Sequence, residues 1–202
     1  MNSMDRERFS TGLTYDEYKS QMTRNREKLE ANEAAVHLSD EDLAAFRRLP
    51  GPVHVVALAE DWCGDVLANL PVIGVLARES GTLDLRVFLR DENKDLIGRW
   101  LNQGLYESIP VFAFFDDRFA EIGVFIERPA SVTAERKARR EAIHAADPAF
   151  GAPDAPIDQL PDEVRARLSA AIAKMREDLV PWANAEVVKE LRSIAERAPA
   201  LT

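Results

Sequence analysis

The stretch AEDWCGDVLANLP, from Ala59 to Pro71, decides which fold the chain can adopt. It continues a short apolar run rich in β-branched residues, Val53 to Ala59, which is typical of a strand buried on both faces. From Gly64 onward apolar residues recur at helical spacing, so the stretch joins a strand to a helix. Cys63, the one cysteine of the sequence, lies at this junction.

The position of Cys63 allows two roles, a nucleophile or a small buried hydrophobe. Unpaired N–H groups and the dipole at a helix start favour a thiolate there, and Trp62 would shield one side of the sulfur. The carboxylates of Glu60, Asp61 and Asp65 are close in sequence and disfavour a thiolate. These opposing effects leave both roles open. For Asp65, a first-turn acid that complements the helix dipole is favoured over a catalytic group.

The first 49 residues are predicted to form a helical N-terminal extension. Two segments with the pattern of a capping box, Thr14–Glu17 and Ser39–Asp42, indicate helix starts. They predict helices over about 15–32 and 40–48.

Residues 50–128 are predicted to form an α/β core with element order β-α-β-α-β-β. The first two connections are expected to be right-handed crossovers between parallel strands, and the last two strands an antiparallel hairpin. The predicted strands are Val53–Ala59, Leu83–Leu89, Val111–Phe115 and Glu121–Glu127, with a helix from Gly64 to Gly81 and another from Asn93 to Gly104.

Residues 129–202 are predicted to form C-terminal helices, of which the first or second completes the core. The prediction places helices from Ala130 to Ala145, from Pro161 to a break at Pro181, and from Asn184 onward, with a proline-rich loop over 147–161 that is either ordered or a hinge.

Composition excludes several classes of function. The net charge is −9, and residues 50–128 carry 7 basic and 13 acidic side chains, so nucleic-acid binding is not expected. The apolar runs are too short to cross a bilayer, and the charged segment MNSMDRERFS does not resemble a signal peptide. A single cysteine cannot form an intramolecular disulfide, so a reducing, cytoplasmic setting is expected. The three histidines lack metal-ligand spacing, and no metal site is predicted.

Ser108-Ile109-Pro110 directly precedes the third predicted strand. A proline is tolerated at a strand's first residue, and an X–Pro bond is the peptide bond for which the cis form is accessible. The polar segment from Arg90 to Asn93 follows the second strand. It is expected to cap the end of that strand rather than bind a ligand.

Together these motifs resemble the thioredoxin family, over about residues 50–128. The resemblance implies a thioredoxin fold, with three α/β/α layers around a mixed four-stranded sheet, extended by helices at both termini. The segments W-C-G-D, L-R-D-E-N and S-I-P are most similar to a bacterial, single-cysteine branch described only as "thioredoxin family protein". The resemblance implies a cis Pro110 beside a nucleophilic Cys63, with the backbone of Ile109 pairing with an extended substrate segment. Trp62, Ile109 and Pro110 are expected to bind the substrate. Gly64 and Asp65 are candidate supporting residues, although Asp65 departs from the Gly-Pro and Pro-Tyr dipeptides that are common at this place in dithiol members.

Two departures from the family's pattern concern its dithiol chemistry. The position of the second, resolving cysteine is Val66, and the position of the buried acid that assists it is Ala57. Both losses indicate that the dithiol half-reaction is missing, so an external thiol would have to release Cys63 from a mixed disulfide.

Three hypotheses follow. In the first, Cys63 attacks the disulfide of a protein or small molecule, and a low-molecular-weight thiol such as glutathione is the co-substrate, with no bound cofactor. In the second, the chain is a redox-inert adaptor for a protein partner. In the third and least favoured, two chains share an iron–sulfur cluster through Cys63 and glutathione. The oligomeric state is not predicted.

Overall fold

The predicted α/β fold is confirmed by a computed structural model that describes residues 4–198. Its centre is a four-stranded mixed sheet with strand order β2-β1-β3-β4. β1 (Val53–Ala59) is parallel to β2 (Leu83–Leu89) and antiparallel to β3 (Val111–Phe115), which pairs with β4 (Glu121–Ile126).

Burial explains why the two central strands have continuous apolar sequences. Every residue of β1 and of β3 is buried, so neither strand has a solvent face that requires polar residues. The two outer strands mix buried and partly exposed positions. The four strands are therefore found at the predicted residues, except that β4 ends one residue earlier.

The prediction that the second connection joins parallel strands is wrong, because β3 runs antiparallel to β1 and so to β2. The short helix after β2 (Lys94–Ile97) does not carry the chain back along the sheet, so β3 starts at the end of the sheet where β2 finishes.

Four helices precede the sheet: α1 (Arg6–Ser10), α2 (Tyr15–Gln21), α3 (Arg26–Ala34) and α4 (Asp40–Arg47). The capping box of Thr14 and Glu17 forms with both of its hydrogen bonds. The prediction of one helix over 15–32 is wrong, because the chain leaves the helical conformation at Met22 and adopts a left-handed one at Asn25 (φ 55°). The turn between α2 and α3 leaves the backbone N–H groups of Thr23 and Arg24 outside any helix, and both bind the Asp61 carboxylate.

The long helix α5 (Gly64–Ser80) begins after Cys63 and ends at Gly81, whose φ of 70° suits glycine. Helix α6 (Lys94–Ile97) is much shorter than the predicted helix to Gly104. The chain instead forms a tight turn in which Asn102 and Tyr106 pair through their backbones.

Two more helices complete the described chain, α7 (Ala130–Ala146) and α8 (Asp162–Ala195). The predicted break at Pro181 and the predicted cap at Asn184 are wrong, because α8 continues through both residues. A proline removes one backbone donor from a helix, and the good helix formers on both sides of Pro181 tolerate that loss here.

The chain divides into two compact units, residues 4–128 with 187–198, and residues 129–186. In the second unit the segment after α7 is ordered: His144 Nδ1 lies 2.9 Å from the Gly151 carbonyl oxygen, and Arg167 stacks over the Phe150 ring. The predicted domain boundaries at residues 49 and 128 stay a prediction.

Candidate functional site

Cys63 occupies the N-cap position of α5, with an extended backbone (φ −84°, ψ 121°). Its N–H donates to the carbonyl of Glu60, and its own carbonyl accepts the N–H of Leu67 in the first helical turn. The thiol is free and half-buried. The junction between β1 and α5 therefore holds the sulfur at the surface of the sheet's carboxyl edge.

The loop before β3 brings Ile109 and Pro110 to this sulfur. The Ile109–Pro110 peptide bond is cis, and both residues are buried. The Cys63 thiol donates a hydrogen bond to the Ile109 carbonyl oxygen at an S···O distance of 3.4 Å. Three of the residues that the sequence singled out thus lie together, although they are 46 positions apart in the chain.

Trp62 is exposed beside the thiol, with 46% of its surface accessible. The Arg90 guanidinium lies 5.0 Å above the Trp62 ring and donates to the Glu107 carbonyl, two residues before Ile109. Arg90 therefore links the tryptophan to the proline loop. Segment 90–93 caps the end of β2 as expected, since the Asn93 side chain donates to the Leu89 carbonyl. Arg90 in addition contacts Trp62, a predicted site residue.

Gly64 and Asp65 form the first turn of α5. Gly64 is exposed, and a Cβ added there would meet no atom within 4 Å, so the residue after Cys63 borders open space. Asp65 forms a two-pronged ion pair with Arg128, which directly follows β4. Arg128 also pairs with its neighbour Glu127.

Arg128 is a site residue that sequence reasoning missed. Burial alone would lower the pKa of its guanidinium, but the hydrogen bonds and charge of Asp65 outweigh burial and raise it, with smaller contributions from Glu127 and Cys63. Arg128 is therefore a permanent cation close to the thiol. No spacing in the sequence pairs residue 128 with residue 65, since only the folded sheet brings them together.

The N-terminal helices supply another part of the site. The Asp61 carboxylate accepts hydrogen bonds from the Thr23 N–H (2.8 Å), the Thr23 hydroxyl (3.1 Å) and the Arg24 N–H (2.9 Å), and the Asn25 side chain donates to the Asp61 carbonyl. The turn that interrupts the predicted helix thus anchors the loop that carries Cys63. No motif in the sequence indicates this contact.

Two other groups near the thiol have raised pKa values. Burial raises the pKa of Glu60, although the Asp91 N–H bonded to its carboxylate acts against this. Burial also raises the pKa of the Tyr18 phenol, and the charges of Asp61, Glu60 and Cys63 add to the effect in that order.

Apolar residues occupy the two positions at which dithiol members of the family have a resolving cysteine and a buried acid. Val66 and Ala57 are both fully buried in apolar packing, and no second thiol exists. Within residues 4–198 no group of three or more His, Cys, Asp or Glu side chains could hold a metal ion. Over the same residues, no helix is long and apolar enough to span a membrane.

Comparison with known proteins matches this geometry to a family. A family model described as Thioredoxin matches residues 12–140. The chain belongs to the thioredoxin family. The match begins within the N-terminal helices, and so extends beyond the predicted range of 50–128.

Two solved structures share the fold of this chain. An HIV epitope scaffold of the 4E10 series is 15% identical, with a TM-score of 0.64, and the alignment covers 98% of this chain and 100% of the scaffold. A protein of unknown function from Pseudomonas aeruginosa is 16% identical, with a TM-score of 0.59, covering 88% of this chain and 99% of that protein. No curated protein matches the chain.

Proposed function

We propose that this thioredoxin-family chain is a single-thiol protein of thiol–disulfide exchange, with Cys63 as the nucleophile. The observation that carries the proposal is the contact between the half-buried Cys63 thiol and the Ile109 carbonyl beside Pro110. A structural cysteine is usually fully buried, whereas Cys63 is only half-buried.

The exchange proceeds in two steps. The Cys63 thiolate attacks a disulfide, a bond forms between the Cys63 sulfur and one sulfur of the substrate, and the other sulfur leaves as a thiolate that takes a proton from water. Val66 provides no resolving thiol, so an external thiol attacks the Cys63 sulfur, expels the bound half as a thiol and is itself joined to Cys63. A second external thiol then releases Cys63 as an external disulfide. The substrate disulfide is reduced, and two external thiols are oxidised.

The surroundings of Cys63 favour an extended substrate segment. The backbone of Ile109 would pair with such a segment as an added strand, since Ile109 precedes Pro110 at the edge of the thiol. Trp62 would cover the disulfide from one side, with Arg90 holding its ring. Gly64 leaves room for the incoming chain, and Asp65 holds Arg128 near the sulfur.

The reaction suits a reducing compartment. We infer a cytoplasmic location and glutathione or a similar small thiol as the co-substrate, because the single cysteine forms no disulfide within the chain and requires a thiol from outside. We also infer that the chain belongs to the bacterial single-cysteine branch of the family, on the segments W-C-G-D and S-I-P. A disulfide of a protein or of a small molecule would be the partner, without nucleic acid or membrane.

The proposal is tested by incubating the protein with a mixed disulfide of glutathione and a peptide, together with reduced glutathione. Wild type should release the peptide thiol and pass through a Cys63–glutathione adduct visible in the intact mass, whereas Cys63→Ser should do neither. Absence of the adduct from wild type, with peptide release equal to that of glutathione alone, contradicts the proposal.

A second function is favoured by a specific observation, the exposure of large apolar side chains in the loops around the thiol. Leu105 (73% exposed) and Tyr106 (59%) lie in the turn before Ile109, and Trp62 lies next to Cys63. Such side chains are typical of a protein-binding surface, so the chain would be a redox-inert adaptor. If the chain is an adaptor, Cys63→Ser should leave its function in cells intact. If the chain carries out thiol–disulfide exchange, the same variant should lose that function.

A further inference from the structure

The hydrogen-bond ladder between β3 and β4 continues beyond both strands and reaches the thiol site. Past the last residue pair of the two strands, the Glu127 N–H donates to the Pro110 carbonyl at 2.7 Å. Glu127 therefore lies directly across from Pro110, the residue that follows Ile109. The Ile109 carbonyl in turn accepts the Cys63 thiol at 3.4 Å.

The carbonyl of Glu127 is bonded to the helix that begins after Cys63. Pro110 has no N–H, so it cannot return the hydrogen bond that a regular ladder would make to this carbonyl. Asn69, a buried residue of α5, takes the place of that donor, and its side-chain amide donates to the Glu127 carbonyl at 2.7 Å. The two backbone groups of Glu127 thus connect Pro110 to α5.

The backbone conformation of Glu127 is strained. Its φ is 64°, and the Arg128 N–H donates to the Ile126 carbonyl at 2.8 Å, which closes a γ-turn of the rare form with positive φ. Glycine adopts such a conformation readily, whereas a residue with a side chain does so at a cost in free energy. Strained positions of this kind are concentrated at functional sites, so the contacts of the Glu127 side chain indicate its role.

The Glu127 carboxylate reaches the loop before β3. The Asn102 side-chain amide donates to it at 2.9 Å and to the Ser108 hydroxyl at 3.2 Å, so the two hydrogens of one nitrogen serve both acceptors. The other carboxylate oxygen pairs with Arg128, which also binds Asp65 on α5. The carboxylate therefore ties the loop before β3 to the first turn of α5.

We propose that Glu127 is a positioning residue of the exchange reaction, which fixes the backbone of Ile109 beside the Cys63 sulfur. The inference rests on the proposed function, in which an extended substrate segment pairs with that backbone. Glu127 moves no proton and forms no bond to the reacting atoms, since it acts through the groups that it binds. Its loss should therefore weaken binding of the segment and leave the reactivity of the thiol unchanged.

The experiment measures peptide release from a mixed disulfide of glutathione and a peptide, at saturating reduced glutathione, by wild type and by Glu127→Gly. Glycine keeps the γ-turn and its backbone bonds but removes the carboxylate. We expect KM for the mixed disulfide to rise about tenfold and kcat to stay within about twofold, because a misplaced binding group weakens ground state and transition state alike. Alkylation of Cys63 by iodoacetamide needs no backbone pairing and should keep its wild-type rate.

Three further variants separate the carboxylate from other effects. Glu127→Gln keeps an oxygen that accepts the Asn102 amide, so its KM should return to within about twofold of wild type. Asn102→Ala removes the donor and should raise KM as Glu127→Gly does, and the two changes together should raise it no further. The matched control is Gln103→Gly, which changes another left-handed residue (φ 54°), exposed and without the carboxylate, and should leave KM unchanged.

A thermal melt checks that each variant is folded, and Asn102→Ala decides the test if Glu127→Gly is not. Four results would overturn the inference alone: an unchanged KM in the folded variants, an equal rise in Gln103→Gly, no recovery in Glu127→Gln, or slower alkylation that accompanies the rise in KM. In each of these, wild type still exchanges the disulfide and the proposed function stands. If wild type exchanges no disulfide, the proposed function fails and the inference falls with it.

Discussion

Tyr15 and Tyr18 lie one turn apart on the same helix, and their surroundings differ completely. The Tyr15 hydroxyl donates to Glu33, which also binds Lys19 (3.1 Å) and Arg78 (2.7 Å). The Tyr18 hydroxyl is more deeply buried and has no partner among residues 4–198. Burial raises the pKa of both phenols, but only Tyr15 has a nearby carboxylate as its hydrogen-bond acceptor.

The difference separates a fully paired buried network from a buried position whose hydroxyl has no partner among residues 4–198. Glu33 on α3 accepts hydrogen bonds from Tyr15 and Lys19 on α2 and from Arg78 on α5, so the network holds the three helices together. The Tyr18 hydroxyl, by contrast, is buried without a hydrogen-bond partner among residues 4–198, which lowers the stability of the fold. Proteins tolerate such exceptions chiefly at functional sites.

The largest effect that tests this comparison is expected from Glu33→Gln. The amide keeps the size of the side chain but removes the charge that Lys19 and Arg78 share, and one of its two acceptor positions becomes a donor. We expect a loss of about 2 kcal/mol in the free energy of unfolding, measured in urea. The rate of Cys63 alkylation by iodoacetamide, followed by intact mass across pH, should keep the same profile as in wild type. An altered profile would show that the two regions are coupled.

The same network should give the stability a dependence on pH. Burial alone would raise the pKa of Glu33, but its bonds from Arg78 and Lys19 outweigh burial and hold the pKa below its usual value. A lowered folded-state pKa stabilises the fold above the unfolded-state pKa of about 4.3, and the contribution is lost as the pH falls through the folded-state value. The stability difference between wild type and Glu33→Gln should therefore shrink in acid.

A smaller effect is expected from Asp61→Ala, on the Tyr18 side. Asp61 acts as a cap for the N–H groups of Thr23 and Arg24, and loss of such a cap costs about 1 kcal/mol. The control is Asp16→Ala, which removes a carboxylate that is 89% exposed and should change the unfolding free energy little. Equal stability of the two variants, in urea melts, would contradict the anchoring role of residues 23–25.

Most of the sheet's strands could be predicted because each strand is marked by the pattern of its own residues. β1 and β3 are continuous apolar runs with turn residues on either side, and the alternation in β2 marks a strand with two different faces. The proximity of Cys63 to Ile109 and Pro110 was predicted through family resemblance rather than from the residues themselves. The contact between the sulfur and the Ile109 carbonyl gives that prediction its geometry.

The remaining parts depend on contacts between distant residues. Nothing in the sequence around residues 22–25 marks a break, because no glycine or proline lies there; the bonds to Asp61 favour the turn. Arg128 and Tyr18 were likewise missed, since neither has a sequence relation to Cys63. The break predicted at Pro181 is absent, because a proline weakens a helix without always ending it.

The smallest effect is expected in the unfolding free energies of Tyr15→Phe and Tyr18→Phe. Tyr15→Phe leaves Glu33 with one bond fewer and should cost about 1 kcal/mol of unfolding free energy. Tyr18→Phe removes a hydroxyl that makes no bond in the resting protein, so its unfolding free energy should equal or slightly exceed that of wild type. Matched urea melts of the two proteins measure the difference directly. If Tyr18→Phe were the less stable variant, its hydroxyl would have a partner in the resting state, and the contrast between the two regions would disappear.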